Sequence, residues 1–182
     1  MIPMRRHALL FCAAAAFAGA ALTQGALAQG KDPVSALRGH DSNAPIDVAA
    51  DRIEVQDRAD RAIFAGNVKV RQATLSLDTE RLTVAYSSGG GIQIRRLDAA
   101  GGVVVRSPSE TARGNFGIYD LDKKLITLVG DVQLRRAGSQ VMGSRLVIDL
   151  ESGRAVIDGG PPGVGQSGGR VTGRFTVPQR TR

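Results

Sequence analysis

The chain predicts an all-β fold built as a stack of short, similar strand units. Three observations carry this. First, Gly66-Asn67-Val68-Lys69-Val70-Arg71 recurs as Gly101-Gly102-Val103-Val104-Val105-Arg106 and again as Gly130-Asp131-Val132-Gln133-Leu134-Arg135. Each copy reads as a tight turn followed by a strand, and the copies begin 35 and 29 residues apart. Second, apolar residues alternate with polar ones over nearly the whole middle of the chain, giving each strand one dry and one wet face. Third, no window of 11 residues carries a helical apolar stripe.

The elements follow in order. Arg5 and Arg6 precede an uncharged apolar run, Ala8 to Leu22, and Ala26-Leu27-Ala28 is a small-x-small cleavage site. Residues 1–28 therefore read as a cleaved secretory signal, and the apolar run is short for a membrane span. Cys12 comes too early for a lipoprotein signal, because it would leave almost no apolar region before it. Residues 29–43 read as a flexible polar leader. From Ala44-Pro45 the strands begin: Ile46 and Val48, then Ile53 and Val55, a turn at 57–60, Phe64, then Val68 and Val70. Leu75 and Leu77 follow, then Leu82 and Val84, a Gly-rich loop at 87–91, then Val103 and Val105. Phe116 and Ile118 are assigned to the same dry face against Asn115 and Gly117. Leu128, Val132, Leu134, Leu146 and Ile148 continue it to residue 159. Residues 160–169 form a Gly/Pro linker, and 170–182 hold a last alternating strand and a polar tail.

Composition narrows the function. Cleavage after residue 28 leaves 154 of the 182 residues, without the single cysteine. Disulfide and thiol chemistry are thereby excluded from the mature chain. One histidine remains, His40, and it lies in the leader. The serines fall in turns or on the wet phase. Asp47, Asp51 and Glu54 read as solvated strand acids. No metal-ligand spacing is present, and the Gly-rich stretches do not open helices. No catalytic residue, metal or cofactor is assigned, and the chain is not expected to be an enzyme. The mature charge is +5, carried mainly by arginine, which suits phosphorylated partners. Export and the scarcity of aromatics argue against nucleic acid. Arg71, Arg106 and Arg135, one at the end of each repeat, are the candidates for phosphate contact; a solvated outer face is the alternative.

Two motifs complete the reading. Pro45-Ile46-Asp47-Val48-Ala49-Ala50-Asp51 leads into Phe64-Ala65-Gly66-Asn67-Val68, and Leu128-Val129-Gly130-Asp131-Val132 repeats the Gly-Asn/Asp-Val step. In this order the chain resembles the OstA-like family, the periplasmic lipopolysaccharide-transport proteins of the LptA type, over residues 44–159. The closing segment 170–178 also looks like the family's last strand, whereas the Gly89–Gly91 loop and the Gly/Pro linker are not family hallmarks. The resemblance implies a partly open antiparallel β-jellyroll of two facing sheets, with lipid acyl chains between them. It implies a soluble periplasmic bridge that joins LptC-like inner-membrane and LptD-like outer-membrane components and associates head to tail with itself. The inward residues Ile46, Val48, Ile53, Val55, Phe64, Val68, Val70, Leu75, Leu77, Leu82, Val84, Val103, Val105, Phe116, Ile118, Val132 and Leu134 then form both the core and the lipid-facing wall, and pattern alone does not divide them. A non-catalytic scaffold or a glycan-binding envelope module is the alternative function; the absence of Trp counts against the latter.

Overall fold

The computed structural model describes residues 40–159 and 169–176. The signal segment, residues 29–39 of the leader, residues 160–168 of the linker and the tail from 177 lie outside them. Ten strands form one antiparallel sheet. They are β1 (Ile46–Ala49), β2 (Arg52–Gln56), β3 (Arg61–Gln72), β4 (Leu75–Ser87), β5 (Gln93–Arg106), β6 (Glu110–Asp120), β7 (Leu125–Arg136), β8 (Ser139–Asp149), β9 (Arg154–Asp158) and β10 (Thr172–Arg174). A short 3₁₀ turn, Asp57–Ala59, joins β2 to β3. The strands are fewer and longer than the sequence suggests: β3 to β8 run 11 to 14 residues each.

The difference has one cause. Gly66-Asn67, Gly101-Gly102 and Gly130-Asp131 do not end strands; each pair lies in mid-strand, with both residues in the left-handed region. Between Ala65 and Val68 two residues of β3 face only Glu80 of β4. The same two-against-one mismatch recurs where β5 and β7 meet β6, and where β7 meets β8. An extra residue on one strand bends it and strengthens its twist. Glycine takes this conformation without a Cβ penalty, and Asn or Asp tolerates it in the second place. The polar partners of the bend satisfy one another: Asn67 Nδ2 donates to Asp51 Oδ2 at 2.8 Å, and Asn115 Nδ2 to Asp131 Oδ2 at 3.1 Å.

Aligned bends crease the sheet along a line that crosses every long strand. The outermost strands are broken at the same line. β2 pairs with the first half of β3 and β1 with its second half; β9 and β10 divide β8 in the same way. The first layer thus runs from β2 to β9 and the second from β1 to β10. They face each other: Tyr119 of the first layer reaches Gln72 of the second, and one apolar cluster spans both. Leu82, Leu128 and Leu146, fully buried, stand in one cross-strand row of the first layer; Val70, Val105 and Ala112 are buried in the second. The jellyroll is a single creased sheet, with hydrogen bonding continuous around the core.

The crease also explains one misplacement. In β6 the single residue Asn115 stands opposite two residues of β5 and of β7, which inverts the alternation, so Gly117 and Tyr119 are buried while Phe116 is 58% exposed. Phe116 pairs with Ala100 and Val129 in an outer row, and Ile118 with Asp98 and Thr127 in the next. Both therefore belong to the outer face and not to the inner one. The inner position falls to Gly117 because a Cβ there would stand 3.0 Å from Val103 Cγ1 and from Leu128 Cδ2.

The crease glycines are expected to be individually indispensable. Gly101 has φ +87°, and a Cβ would come within 2.7 Å of Glu80 Cβ. Gly101→Ala should cost about 2 kcal/mol or more, read as a lower urea midpoint. Gly89→Ala, in open space in the loop, should stay within about 0.5 kcal/mol of the parent. Equal midpoints for the two variants would contradict the bend's role.

Candidate functional site

The space between the layers is a narrow apolar cleft. The second layer contributes Ile46, Val70, Gln72, Leu75, Leu77 and Val105, and the first contributes Leu97, Gly117, Ile118, Tyr119, Ile126 and Leu128. Only about 20 Å³ of it is open to the centre of a water molecule, so in this state the layers nearly touch. Apart from Gln72 and Tyr119, which satisfy each other, these walls are aliphatic and make no hydrogen-bond demands on what lies between them.

The inward residues named from the sequence divide into groups. Val68, Val70, Leu75, Leu82, Val84, Val103, Val105 and Val132 are buried. Ile46, Val48, Phe64, Leu77 and Leu134 are partly buried and pack against that core. Of all these, Ile46, Val70, Leu75, Leu77 and Val105 reach the cleft. Ile118 borders it as well, but its outer-row register makes that share main chain between Gly117 and Tyr119. Ile53 and Val55 stand in the inner rows, opposite Phe64 and Ala62, yet are 55% and 57% exposed. The layers are offset: Gln72 of β3 meets Tyr119 of β6, and Val105 and Ala112 of β5 and β6 share a void with Ile148 of β8. Carried to the β2 end, this offset leaves Ile53 and Val55 with no opposing layer among the described residues. They form an apolar lip.

A polar clasp closes the cleft at the N-terminal side. Tyr119 Oη donates to Gln72 Oε1 at 3.1 Å, and Gln72 Nε2 donates to the carbonyls of Ser42 and Ala44, each at 3.0 Å. His40 Nε2 lies 3.0 Å from the same Gln72 oxygen. The end of the leader is thus tied across the cleft, where the sequence had suggested a free segment. Burial pushes the Tyr119 phenol above its usual range, partly offset by hydrogen bonds with Ser42 and Gln72. It stays a protonated donor at neutral pH. Alternation carried two residues past Val70 would have placed Gln72 inside; Tyr119 was hidden by the inverted phase of β6.

The three repeat arginines fall in one row. Arg71, Ser76, Arg106, Thr111, Arg135, Gln140 and Arg174 are successive cross-strand partners in the second layer. Arg106 is held by Asp78 in an ion pair, and Asp47 is the cross-strand neighbour of Arg71. On the first-layer rim three cations are matched by neighbouring carboxylates: Arg95 with Asp122 at 2.6 Å, Arg96 with Asp98 at 2.7 Å and Lys123 with Asp120 at 2.8 Å. Among the described residues no His/Cys/Asp/Glu group is arranged to hold a metal, and no helix is long and apolar enough to cross a membrane.

Comparison with known proteins agrees with this geometry. Residues 47–154 match the family model described as LptA/(LptD N-terminal domain) LPS transport protein. An uncharacterized protein of Rhizobium meliloti (strain 1021) is 33% identical over 124 residues, which cover 64% of this chain and 67% of that protein. The fold matches the crystal structure of LptH, the LptA homologous periplasmic component of the lipopolysaccharide transport device of Pseudomonas aeruginosa. The TM-score is 0.67 at 18% identity, covering 76% of this chain and 99% of that one. The family match spans most of the described sheet, and with the creased jellyroll behind it the chain belongs to the LptA/LptD N-terminal family of lipopolysaccharide transport proteins.

Proposed function

We propose that the mature chain is a periplasmic, non-catalytic bridge component that carries lipopolysaccharide from the inner to the outer membrane, its acyl chains held between the two layers. The observation that carries this reading is the aliphatic cleft between the layers, continued by the exposed inner-face lip of Ile53 and Val55. Each methylene removed from water contributes about 0.8 kcal/mol, so a chain of about a dozen carbons contributes on the order of 10 kcal/mol before entropy costs. A carrier in water needs such a shelter, and walls without directional bonds let the chain slide. The cleft is narrow, so entry requires the layers to part. The Tyr119–Gln72 clasp is where that opening is resisted.

A photo-reactive residue tests the cleft. Placed at Leu77, which is partly buried and lines it, the probe should crosslink lipopolysaccharide. Placed at Thr83, in an outer row between Ile63 and Asp98, it should not. Equal yields at the two positions, or none at Leu77, would overturn the reading.

The same reading includes head-to-tail association, with another copy or with LptC-like and LptD-like partners of the same fold. β2 and β9 are the two edges of the first layer and run antiparallel to each other, so the β9 edge of one copy can extend the β2 edge of the next. Such docking would also cover Ile53 and Val55. Glu54 and Val156 occupy the same outer row at its opposite ends. Directly opposed residues have Cβ atoms about 5 Å apart, within disulfide reach. Cysteines at these two positions should therefore form intermolecular disulfides, and Ile53→Asp/Val55→Asp should suppress them. A monomeric light-scattering profile with no crosslink at high concentration would contradict assembly through this edge.

A further inference from the structure

The arginine row does not treat its members alike. Arg106 is committed to Asp78, and Arg71 stands beside Asp47. Arg135 and Arg174 are exposed and flank Gln140 on alternate strands, with no ion pair among the described residues. Strands two apart lie about 10 Å apart, so two extended guanidinium arms can converge on one phosphate. Beside Arg135 the turns after β5 and β7 border an open polar hollow, lined with the hydroxyl residues Ser107, Ser109, Thr111 and Ser139 together with Arg136 and the carboxylate of Glu110.

This hollow borders the apolar interior through shared lining residues. It shares Ser107 and Glu110 with a small void walled by Val105, Ala112 and Ile148, and Val105 in turn lines the main cleft. The Arg135 row is the outer one, alternating with the inner row of Val70, Leu77, Val105, Ala112 and Leu134, so guanidinium and hydroxyls stand on the outside of the rim whose inside is aliphatic. On the opposite rim Arg95, Arg96 and Lys123 are committed to neighbouring carboxylates, and Arg58 and Arg61 are the cations there without an ion pair among the described residues. A molecule suited to this arrangement has an apolar tail and a phosphate head.

We propose that Arg135 and Arg174, with the hydroxyl-lined hollow beside them, form a phosphate-docking site for an amphiphile whose acyl chains occupy the interlayer cleft, so that the lipid is held with its charged end on the second-layer rim. The assignment rests on the lipid-carrier reading above. It narrows the row to its C-terminal end and gives the bound lipid an orientation.

The test compares diphosphorylated lipid A with the same lipid after phosphatase treatment, using the mature chain at a concentration where it is monomeric. The Arg135→Ala/Arg174→Ala variant should bind the phosphorylated form about tenfold more weakly, because two charge-assisted contacts are lost. Its affinity for the dephosphorylated form should not change. Arg58→Ala/Arg61→Ala removes the same charge from the opposite rim and should shift neither affinity appreciably. Circular dichroism confirms that both variants fold. The parent preference for the phosphorylated lipid should shrink as salt rises, since exposed charges are screened over about 8–10 Å at physiological ionic strength. Equal losses in the two variants, or unchanged binding in the first, would overturn the site while leaving the acyl cleft standing. Failure of the parent chain to bind the dephosphorylated lipid would instead count against the cleft. Retention of inorganic phosphate alone as tightly as the phosphorylated lipid would reassign the rim to a free anion and overturn the amphiphile site.

Discussion

Everything in this molecule depends on a mismatch of one residue. At the crease, two residues of β3, β5 and β7 face a single residue on a neighbouring strand. A sheet this wide could remain an open, twisted surface with one apolar face in water. The repeated mismatch folds it on itself, so that the dry face of each strand's first half covers a dry second half. The hydrogen-bond ladder survives because the bend consumes residues and not pairings. The core, the cleft and the lip are all consequences of where that line falls.

The offset between the layers then determines what the core leaves unfinished. A creased sheet whose halves met squarely would bury its whole inner face. Here Gln72 opposes a residue three strands on, so inner-face residues at the β2 end are uncovered. This is why Ile53 and Val55 are apolar and exposed together. Isolated exposed apolar residues are ordinary, but two in phase on an unpaired edge strand make a surface that another sheet can complete. The same skew leaves a narrow apolar cleft between the layers. Its lining is almost entirely aliphatic, with polar groups confined to the clasp and the rims.

Much of this was legible in the chain. The Gly-Asn/Gly/Asp steps, the period-2 alternation and the absence of helices gave the all-β class, and Val68, Val70, Leu82, Val103, Val105 and Val132 are buried as their alternation implied. What alternation could not show was a phase that changes in mid-strand. Gly66-Asn67 reads as a turn because both residues favour turns; only pairing on both sides reveals a bend inside one long strand. Phe116 and Ile118 were misplaced for the same reason, since apolarity was taken as the sign of the inner face where the true inner residue is a glycine. Ile53 and Val55 were put on the right face, but their exposure depends on the layer offset, which no local pattern encodes. The arginine spacing was visible; that Asp78 occupies Arg106 was not, because the two lie 28 residues apart.

The central claim is that the creased layers separate to admit an acyl chain. Spin labels at Ser76 and Thr127, outward neighbours of the cleft residues Leu77 and Ile126, straddle the cleft from outside. Pulsed electron–electron distance measurement between them, with and without lipopolysaccharide, reads the interlayer separation directly. Inserting one carbon chain should widen the distance by about 4 Å, the contact separation of carbon atoms. An unchanged distance with lipid demonstrably bound would contradict an interlayer site.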